Sequence, residues 1–186
     1  MKRTRHASTE RKMKPVILVF CEGETEETYI NFLKGRYRIP IQIIPKVTGQ
    51  KLTQKLIDSH IRQERINRKD SIHSFLMYDL DVENVMDRIK QCEGISICSN
   101  PCLELWFLLH ERKQQCSLDS DTCLETLKKC SPLWKSYSKG FLTDRQQERL
   151  WEMRSKACSR SKALHEFKNP SAPVHRLIDL LDNNNS

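Results

Sequence analysis

Runs of apolar residues alternate with longer amphipathic stretches along the first part of the chain. Four of the runs have the length of a β-strand and lie at 15–20, 39–47, 74–81 and 94–99. The first run, "PVILVF", is apolar at every position, which is typical of a strand covered on both faces. A helix is expected after each strand, so the order βαβαβαβα predicts an α/β fold with a central parallel sheet of about four strands. Helices should flank this sheet and connect its strands by right-handed crossovers.

The helices expected between and after these strands carry start signals or helical periodicity. Thr25 is expected to cap the first helix, whose first turn is acidic, as the helix dipole favours. A polar helix is expected over 50–68, and apolar residues at i, i+3, i+4 and i+7 predict an amphipathic helix over 82–89. Asn100 is expected to cap the fourth helix, with Pro101 at its first position.

Beyond residue 112 the pattern is helical. Apolar residues fall on one face in the segments 119–130, 143–166 and 172–182, which predicts helical additions at the C-terminal end of the fold. The sequence shows no internal repeat and no low-complexity segment. The expected divisions are a flexible basic arm at 1–14, a single domain at 15–182 with an α/β core at 15–112 and a helical extension at 113–182, and a frayed tail at 183–186.

Length, hydropathy and charge restrict the class of protein. The 186 residues suffice for one domain, and no apolar run approaches the roughly 18 to 20 residues of a membrane span. The charged N-terminus lacks an apolar stretch, so no secretory signal is expected. A cytoplasmic location is therefore expected. Of the net charge of +8, residues 1–14 carry +5, from six Lys and Arg against one Glu. Such an arm is suited to holding phosphates, although a solvated terminus accounts for it equally well.

The eight cysteines are spaced without any C-x-x-C pair. A structural zinc site normally takes two ligands from one such pair, so the spacing gives no support for zinc. We therefore expect reduced thiols, several of them in the core.

Carboxylates follow two of the predicted strands. Glu22 comes at the end of the first strand, and Asp79 and Asp81 come at the end of the third. Ligands of an open parallel α/β sheet bind beyond the carboxyl ends of its strands. If these two strands are neighbours, three carboxylates converge, and their repulsion requires a compensating cation. Mg²⁺, or Mn²⁺ in its place, prefers such oxygen ligands.

The spacing of the two aspartates supports this interpretation. Residues i and i+2 of an extended chain point to the same side, so Asp79 and Asp81 can reach one metal ion. Glu22 would then act as general base or as a further ligand in phosphoryl chemistry. The alternative is that acids at strand ends simply face solvent, which suffices for either cluster alone.

One carboxylate is predicted in an apolar environment. Glu104 lies in the segment "LELWFLLH", which is apolar almost all round and should be deeply packed. A buried carboxylate must be paired, hydrogen-bonded or metal-bound, so Glu104 either forms an ion pair with Lys or Arg or belongs to the site. Asn100 is a candidate for orienting substrate, although capping already explains it. His110 is expected at the helix end, where the dipole favours it.

Basic residues form a stripe on the helix predicted over 143–166. Their spacings of 4, 7 and 4 place them on one face, which is either a solvated surface or a phosphate-binding track that the arm extends. The candidate nucleic-acid-binding residues are Arg3, Arg5, Arg11, Arg145, Arg149, Lys156 and Arg160.

These motifs resemble known ones. "CEGETE" after the first strand and "DLD" after the third resemble the paired signature of the TOPRIM fold, which topoisomerases, primases and OLD-type nucleases share. More specifically, the chain from about residue 11 to residue 182 resembles the RloB-like family. The segments that carry this resemblance are "VFCEGETEETYINFLK", "YDLD", "SNPCLELWFLLH", "YSKG" and "NPSAPVHRLIDLL".

The resemblance implies roles for individual residues. Glu22 matches the TOPRIM general acid/base glutamate, Asp79 and Asp81 match the metal-binding aspartates, and Glu26 matches a further acid. Fuller TOPRIM patterns carry more acids after the third strand, so one-metal chemistry is favoured here. Further candidates, singled out mainly by the resemblance, are Lys139, Lys162 and Asn169.

The resemblance also implies a function. The RloB-like family is associated with bacterial phage defence, often beside a partner ATPase. We therefore expect a TOPRIM-like, Mg²⁺-dependent phosphodiesterase acting on DNA, tRNA or another RNA. The alternatives are a regulatory subunit that binds nucleic acid or nucleotide and works with the ATPase, and a purely structural partner. The sequence lacks the P-loop pattern "GxxxxGK[ST]", so ATPase activity would come from another chain. The oligomeric state stays open.

Overall fold

The computed structural model of the chain describes residues 15–63, 72–80 and 84–185. Four strands form one sheet in the order β2-β1-β3-β4, and every neighbouring pair is parallel. The strands are β1 (Val16–Cys21), β2 (Ile41–Ile44), β3 (Ile72–Met77) and β4 (Ile95–Ser96). The predicted α/β fold, with a parallel sheet of about four strands, is confirmed.

Seven α-helices surround the sheet in the described part of the chain, and a single 3₁₀ turn at Pro132–Trp134 links two of them. The helices are α1 (Glu24–Tyr37), α2 (Gln54–Gln63), α3 (Val85–Lys90), α4 (Glu104–Glu111), α5 (Ser120–Cys130), α6 (Asp144–Lys162) and α7 (His175–Asn185). The last three, α5, α6 and α7, form the helical additions that the sequence predicts beyond residue 112. Helix α7 continues to Asn185, through residues that were expected to belong to a frayed tail.

The strand order places β1 beside β3. The chain crosses from β1 to β2 on one side and then returns to add β3 and β4 on the other. The register pairs Cys21, the last residue of β1, with Met77, the last residue of β3. The residues that follow these two strands therefore emerge side by side, at the switch point where open α/β sheets bind ligands.

Each face of the sheet has its own apolar core. Ile17 and Val19 of β1 pack with side chains of α1 and the C-terminal helices. Leu18 and Phe20 face the opposite side and pack with side chains of α2 and α3. All four side chains are completely buried, which explains why β1 is apolar at consecutive positions.

Two predicted helix caps are wrong. Helix α1 begins at Glu24 after Gly23, so Thr25 already lies in its first turn. Helix α4 begins at Glu104 rather than after Asn100. The backbone of Asn100 instead exchanges two hydrogen bonds with that of Ser171, at 2.7 and 3.0 Å. Because this pairing keeps the chain extended, Asn100 continues the edge of the sheet and does not start the helix.

Two further observations concern the chain's class. All eight cysteines lie among the described residues and are free thiols, five of them buried, as the spacing predicted. No helix in the described ranges is long and apolar enough to cross a lipid bilayer.

Candidate functional site

An acidic cleft lies beyond the carboxyl ends of β1 and β3. Its volume is about 400 Å³, and four carboxylates but only one basic side chain line it. The structure thus brings Glu22 and Asp79 together, as the sequence predicted for neighbouring strands. The lining residues are Glu22, Gly23, Glu24, Thr25, Glu26, Asp79, Lys139 and Gly140.

Glu22 is the residue immediately after β1, and it is half-buried. Its Oε1 atom accepts a hydrogen bond from the backbone N–H of Gly49 at 3.1 Å. A Cβ atom at Gly49 would lie 2.7 Å from Cγ2 of Val85, so this close packing requires glycine. Sequence analysis missed Gly49. Its only signal is its place in the loop between the second strand and the following helix.

Asp79 follows β3 and is also half-buried. Its backbone bridges Ser99 in parallel register, which prolongs the pairing of β3 with the chain after β4. The Oδ1 atom of Asp79 accepts a hydrogen bond from the backbone N–H of Leu103 at 2.9 Å. Because Leu103 immediately precedes α4, Asp79 supplies the acceptor expected from Asn100 and ties the start of this helix to the cleft.

Several predicted site residues lie outside the described residues. They include Asp81, which is the second predicted metal ligand after β3, and the three arginines of the basic arm. Within the described ranges, no group of three or more His, Cys, Asp or Glu side chains is arranged to hold a metal ion. The undescribed site residues are Asp81, Arg3, Arg5 and Arg11.

Glu26 lies at the inner wall of the cleft and is only 5% exposed. Burial raises the pKa of its carboxyl group, and the nearby carboxylates of Glu104 and Glu22 raise it further. A Cβ atom at position 23 would lie 2.9 Å from Oε2 of Glu26, so Gly23 leaves room for the carboxylate at the beginning of α1. This carboxyl group is therefore suited to hold a proton beside Glu22 and Asp79, the two carboxylates at the rim of the cleft.

Glu104 is almost completely buried, with 1% of its surface exposed. The hydroxyl of Tyr137 donates a hydrogen bond to its Oε1 atom at 3.0 Å, and the Nζ atom of Lys139 lies 3.8 Å from its Oε2 atom. Burial and the nearby Glu104 carboxylate raise the pKa of Tyr137, so it stays a protonated donor. The ion pair with a lysine agrees with one of the two interpretations of Glu104, and this lysine also lines the cleft.

A turn at residues 138–141 forms one wall of the cleft and is fixed to α1. The backbone N–H of Gly140 donates to Oγ1 of Thr25 at 3.0 Å, and Oγ1 of Thr28 donates to the carbonyl oxygen of Gly140 at 2.8 Å. Gly140 has a φ of +80°, a left-handed conformation that favours glycine. Thr25 thus holds the turn that presents Lys139.

Three other candidates from the sequence make contacts away from the cleft lining. The side-chain amide of Asn100 donates to the carbonyl oxygen of Phe167 at 3.2 Å. Lys162 forms an ion pair with Asp179 at 2.9 Å. Asn169 exchanges two hydrogen bonds with the backbone of Leu118, at 3.1 and 2.8 Å.

The basic stripe of α6 lies partly against α4. Arg149 makes a bidentate pair with Glu111, at 3.0 and 2.8 Å, and Arg160 donates to the carbonyl oxygen of Leu109 at 2.6 Å. Both arginines therefore contribute to the packing of α6 against the end of α4. Arg145 and Lys156 are exposed.

His110 lies in the last turn of α4, but it is completely buried. Its Nδ1 atom lies 2.8 Å from the carbonyl oxygen of Trp106. Burial lowers its pKa to about 4, so the ring is neutral at neutral pH. The prediction of a cation that favours the helix dipole is therefore wrong.

The sheet order and the acid-lined cleft at its switch point define an α/β protein with an acidic cleft where open sheets of this kind bind ligands. The chain belongs to the RloB-like protein family, whose profile matches residues 17–181. Among curated proteins and among solved structures, no significant match is found.

Proposed function

We propose that this protein is a metal-dependent phosphodiesterase that hydrolyses nucleic acid in bacterial anti-phage defence, in the cytoplasm. The observation that carries the proposal is the convergence of the Glu22 and Asp79 carboxylates on one cleft from neighbouring parallel strands. Membership of the RloB-like family supports the setting, since the resemblance to that family implies a role in bacterial phage defence.

The donor set of the cleft fits a hard divalent cation. Carboxylate oxygens are the ligands that Mg²⁺ and Mn²⁺ prefer, and the acids lining the cleft outnumber its single lysine by four to one. Glu22 and Asp79 would hold the metal, together with Asp81, which lies outside the described residues. When bound, such a metal supplies Lewis acidity and lowers the pKa of a coordinated water.

The protein's own groups then orient the reaction. The backbone N–H groups of Gly49 and Leu103 fix one oxygen of each rim carboxylate, which limits the motion of both side chains. Glu22 would accept the proton of the attacking water, or serve as a further ligand. The ammonium of Lys139, half-exposed in the cleft wall, is suited to stabilise charge that develops on a phosphate oxygen.

The overall charge supports a nucleic-acid substrate. The chain carries a net charge of +8 although its cleft is acidic, so basic residues outside the cleft are available to attract a phosphate backbone. Arg145 and Lys156 are exposed on α6 and available for this role. The proposal covers DNA and RNA alike, and the experiment decides between them.

The experiment incubates the purified full chain with labelled DNA and with total tRNA, in Mg²⁺, in Mn²⁺ and in chelator. Glu22→Gln and Asp79→Asn retain the hydrogen-bond acceptors but remove the charges, so both should fold and lose about 100-fold or more in rate. Asp121→Asn removes an exposed acid on α5 and serves as the matched control. Cleavage that persists in chelator or in both rim variants would refute the proposal.

A second candidate function is a regulatory subunit that binds nucleic acid or nucleotide beside a partner ATPase without cutting it. The observation in its favour is the same acidic cleft, whose carboxylates would then form a metal-dependent ligand site. This function predicts binding that depends on Glu22 and Asp79 without turnover, even when the partner ATPase is added. Hydrolysis of the nucleic acid in that mixture would exclude the regulatory function.

A further inference from the structure

Phe141 is exposed to an unusual degree for its residue type. It is 62% exposed, and no other large apolar side chain of the described residues is so exposed. A single exposed apolar residue is common on protein surfaces, so its exposure alone assigns nothing. The position of Phe141 in the chain and its fixed backbone carry the inference.

Phe141 is next to the acidic cleft along the chain. Lys139 and Gly140, the two residues before it, both line the cleft. Two residues of extended chain span at most about 7 Å, so the ring is within one side-chain length of the cleft wall.

The ring is carried by a fixed turn. The backbone N–H of Phe141 bonds to the carbonyl oxygen of Ser138 at 3.4 Å, and Gly140 is bonded to Thr25 and Thr28 of α1. Tyr137 before the turn and Leu142 after it are buried, at 3% and 4% exposure. The same helix α1 begins two residues after Glu22, so the exposed ring and the acidic rim share one rigid support.

We propose that Phe141 is a stacking platform for an unpaired base, and that the substrate class is single-stranded or locally unpaired nucleic acid. This inference rests on the proposed function, since it places the stacked base next to the phosphate bound in the cleft. An aromatic face stacks on any base that is not already stacked within a duplex.

A protein partner fits this position less well. Specific, stable protein interfaces bury about 1,200 to 2,000 Å² in total, with an apolar centre of several side chains. In the described ranges, Phe141 is the one large apolar side chain with such exposure, so no second strongly exposed apolar side chain adds to such a centre. One exposed ring, two residues after the lysine of the cleft, matches one nucleotide, with its base on the ring and its phosphate near the ammonium.

The test uses a single-stranded oligonucleotide containing 2-aminopurine, whose fluorescence is quenched on stacking, and a duplex of the same sequence. Binding is measured in Ca²⁺ and in chelator with the full chain. Phe141→Ala and Phe141→Leu should abolish the quenching and weaken single-strand binding by about 10-fold, whereas Phe141→Tyr should retain both. Duplex binding should be equal for the wild type and Phe141→Ala.

Three results would overturn the platform. The first is undiminished quenching and affinity in Phe141→Ala, or in Phe141→Leu. The second is an absence of single-strand binding by the wild type. The third is a change of oligomeric state in Phe141→Ala by light scattering, which would make the residue a contact between copies of the chain.

The same oligonucleotides, incubated in Mg²⁺, separate this inference from the proposed function. Phe141-dependent stacking without any hydrolysis, also when the partner ATPase is added, would refute the phosphodiesterase and support the platform. Equal hydrolysis of the single strand by the wild type and Phe141→Ala would support the phosphodiesterase and overturn the platform.

Discussion

The carboxylate of Asp79 accepts a hydrogen bond from the backbone N–H of Leu103, with 2.9 Å between Oδ1 and the nitrogen. One side chain thus fixes the start of α4 and also lines the acidic cleft. Substitution can separate the two roles, because asparagine keeps the oxygen acceptor and loses the charge.

Asp79→Ala should lower the stability of the protein, whereas Asp79→Asn should not. Alanine leaves the N–H of Leu103 without its acceptor in a buried position, which costs about 1 kcal/mol and about 2–4 °C in Tm. Thermal unfolding of both variants measures this difference. Equal Tm values for the two variants would contradict the structural role of the carboxylate.

Two glycines should respond in opposite directions to alanine. Gly140→Ala places a Cβ at a φ of +80°, 3.1 Å from Oε2 of Glu24, and should destabilise the protein by about 1 kcal/mol or more. Gly35 lies in α1, and no neighbouring atom lies within 4 Å of the position that a Cβ would take, so Gly35→Ala should stabilise by about 0.5–1 kcal/mol. Urea denaturation distinguishes them, and a Gly140→Ala variant as stable as the wild type would show that the turn tolerates a side chain.

The stability of a Glu26→Gln variant, relative to that of the wild type, should increase as the pH rises. Burial raises the pKa of Glu26 above its ordinary value of 4.5, so the unfolded chain loses this proton at a lower pH than the folded chain does. Ionisation therefore reduces stability as the pH rises from about 4.5 through the raised folded pKa. Glutamine cannot ionise, so the free energy of unfolding of the variant, relative to the wild type, should increase over this range. A difference that stays constant from pH 4 to pH 8 would argue against a buried, ionisable Glu26.

His110 should make the protein less stable in mild acid. Its pKa falls from 6.5 in the unfolded chain to about 4 in the fold, because burial disfavours the charged ring. The unfolded chain then binds the proton first, and stability is lost as the pH falls from 6.5 to about 4, by up to about 3 kcal/mol. His110→Leu should lack this part of the pH dependence in urea unfolding at pH 7 and pH 5. An unchanged slope in that variant would assign the acid sensitivity to other groups.

Much of the fold follows from local patterns. The continuous apolar run of β1 predicts a strand buried on both faces, and its acid at the end predicts Glu22 on the rim. The predicted caps failed at Thr25 and Asn100, because the side chain of Thr25 and the backbone of Asn100 find partners far along the chain. Thr25 binds Gly140, 115 residues away, and Asn100 pairs with Ser171. Contacts of this kind leave no trace in sequence periodicity.

Local sequence is enough to predict the strands, the helical C-terminal part and the acids that follow β1 and β3, because burial imposes a periodicity that each segment carries alone. Packing of the whole chain makes β1 and β3 neighbours, which brings Glu22 and Asp79 to one cleft. Packing also joins Tyr137 and Lys139 to the buried Glu104 and leaves Phe141 exposed beside them. These relationships join segments more than 30 residues apart, so long-range contacts, rather than local preference, select them.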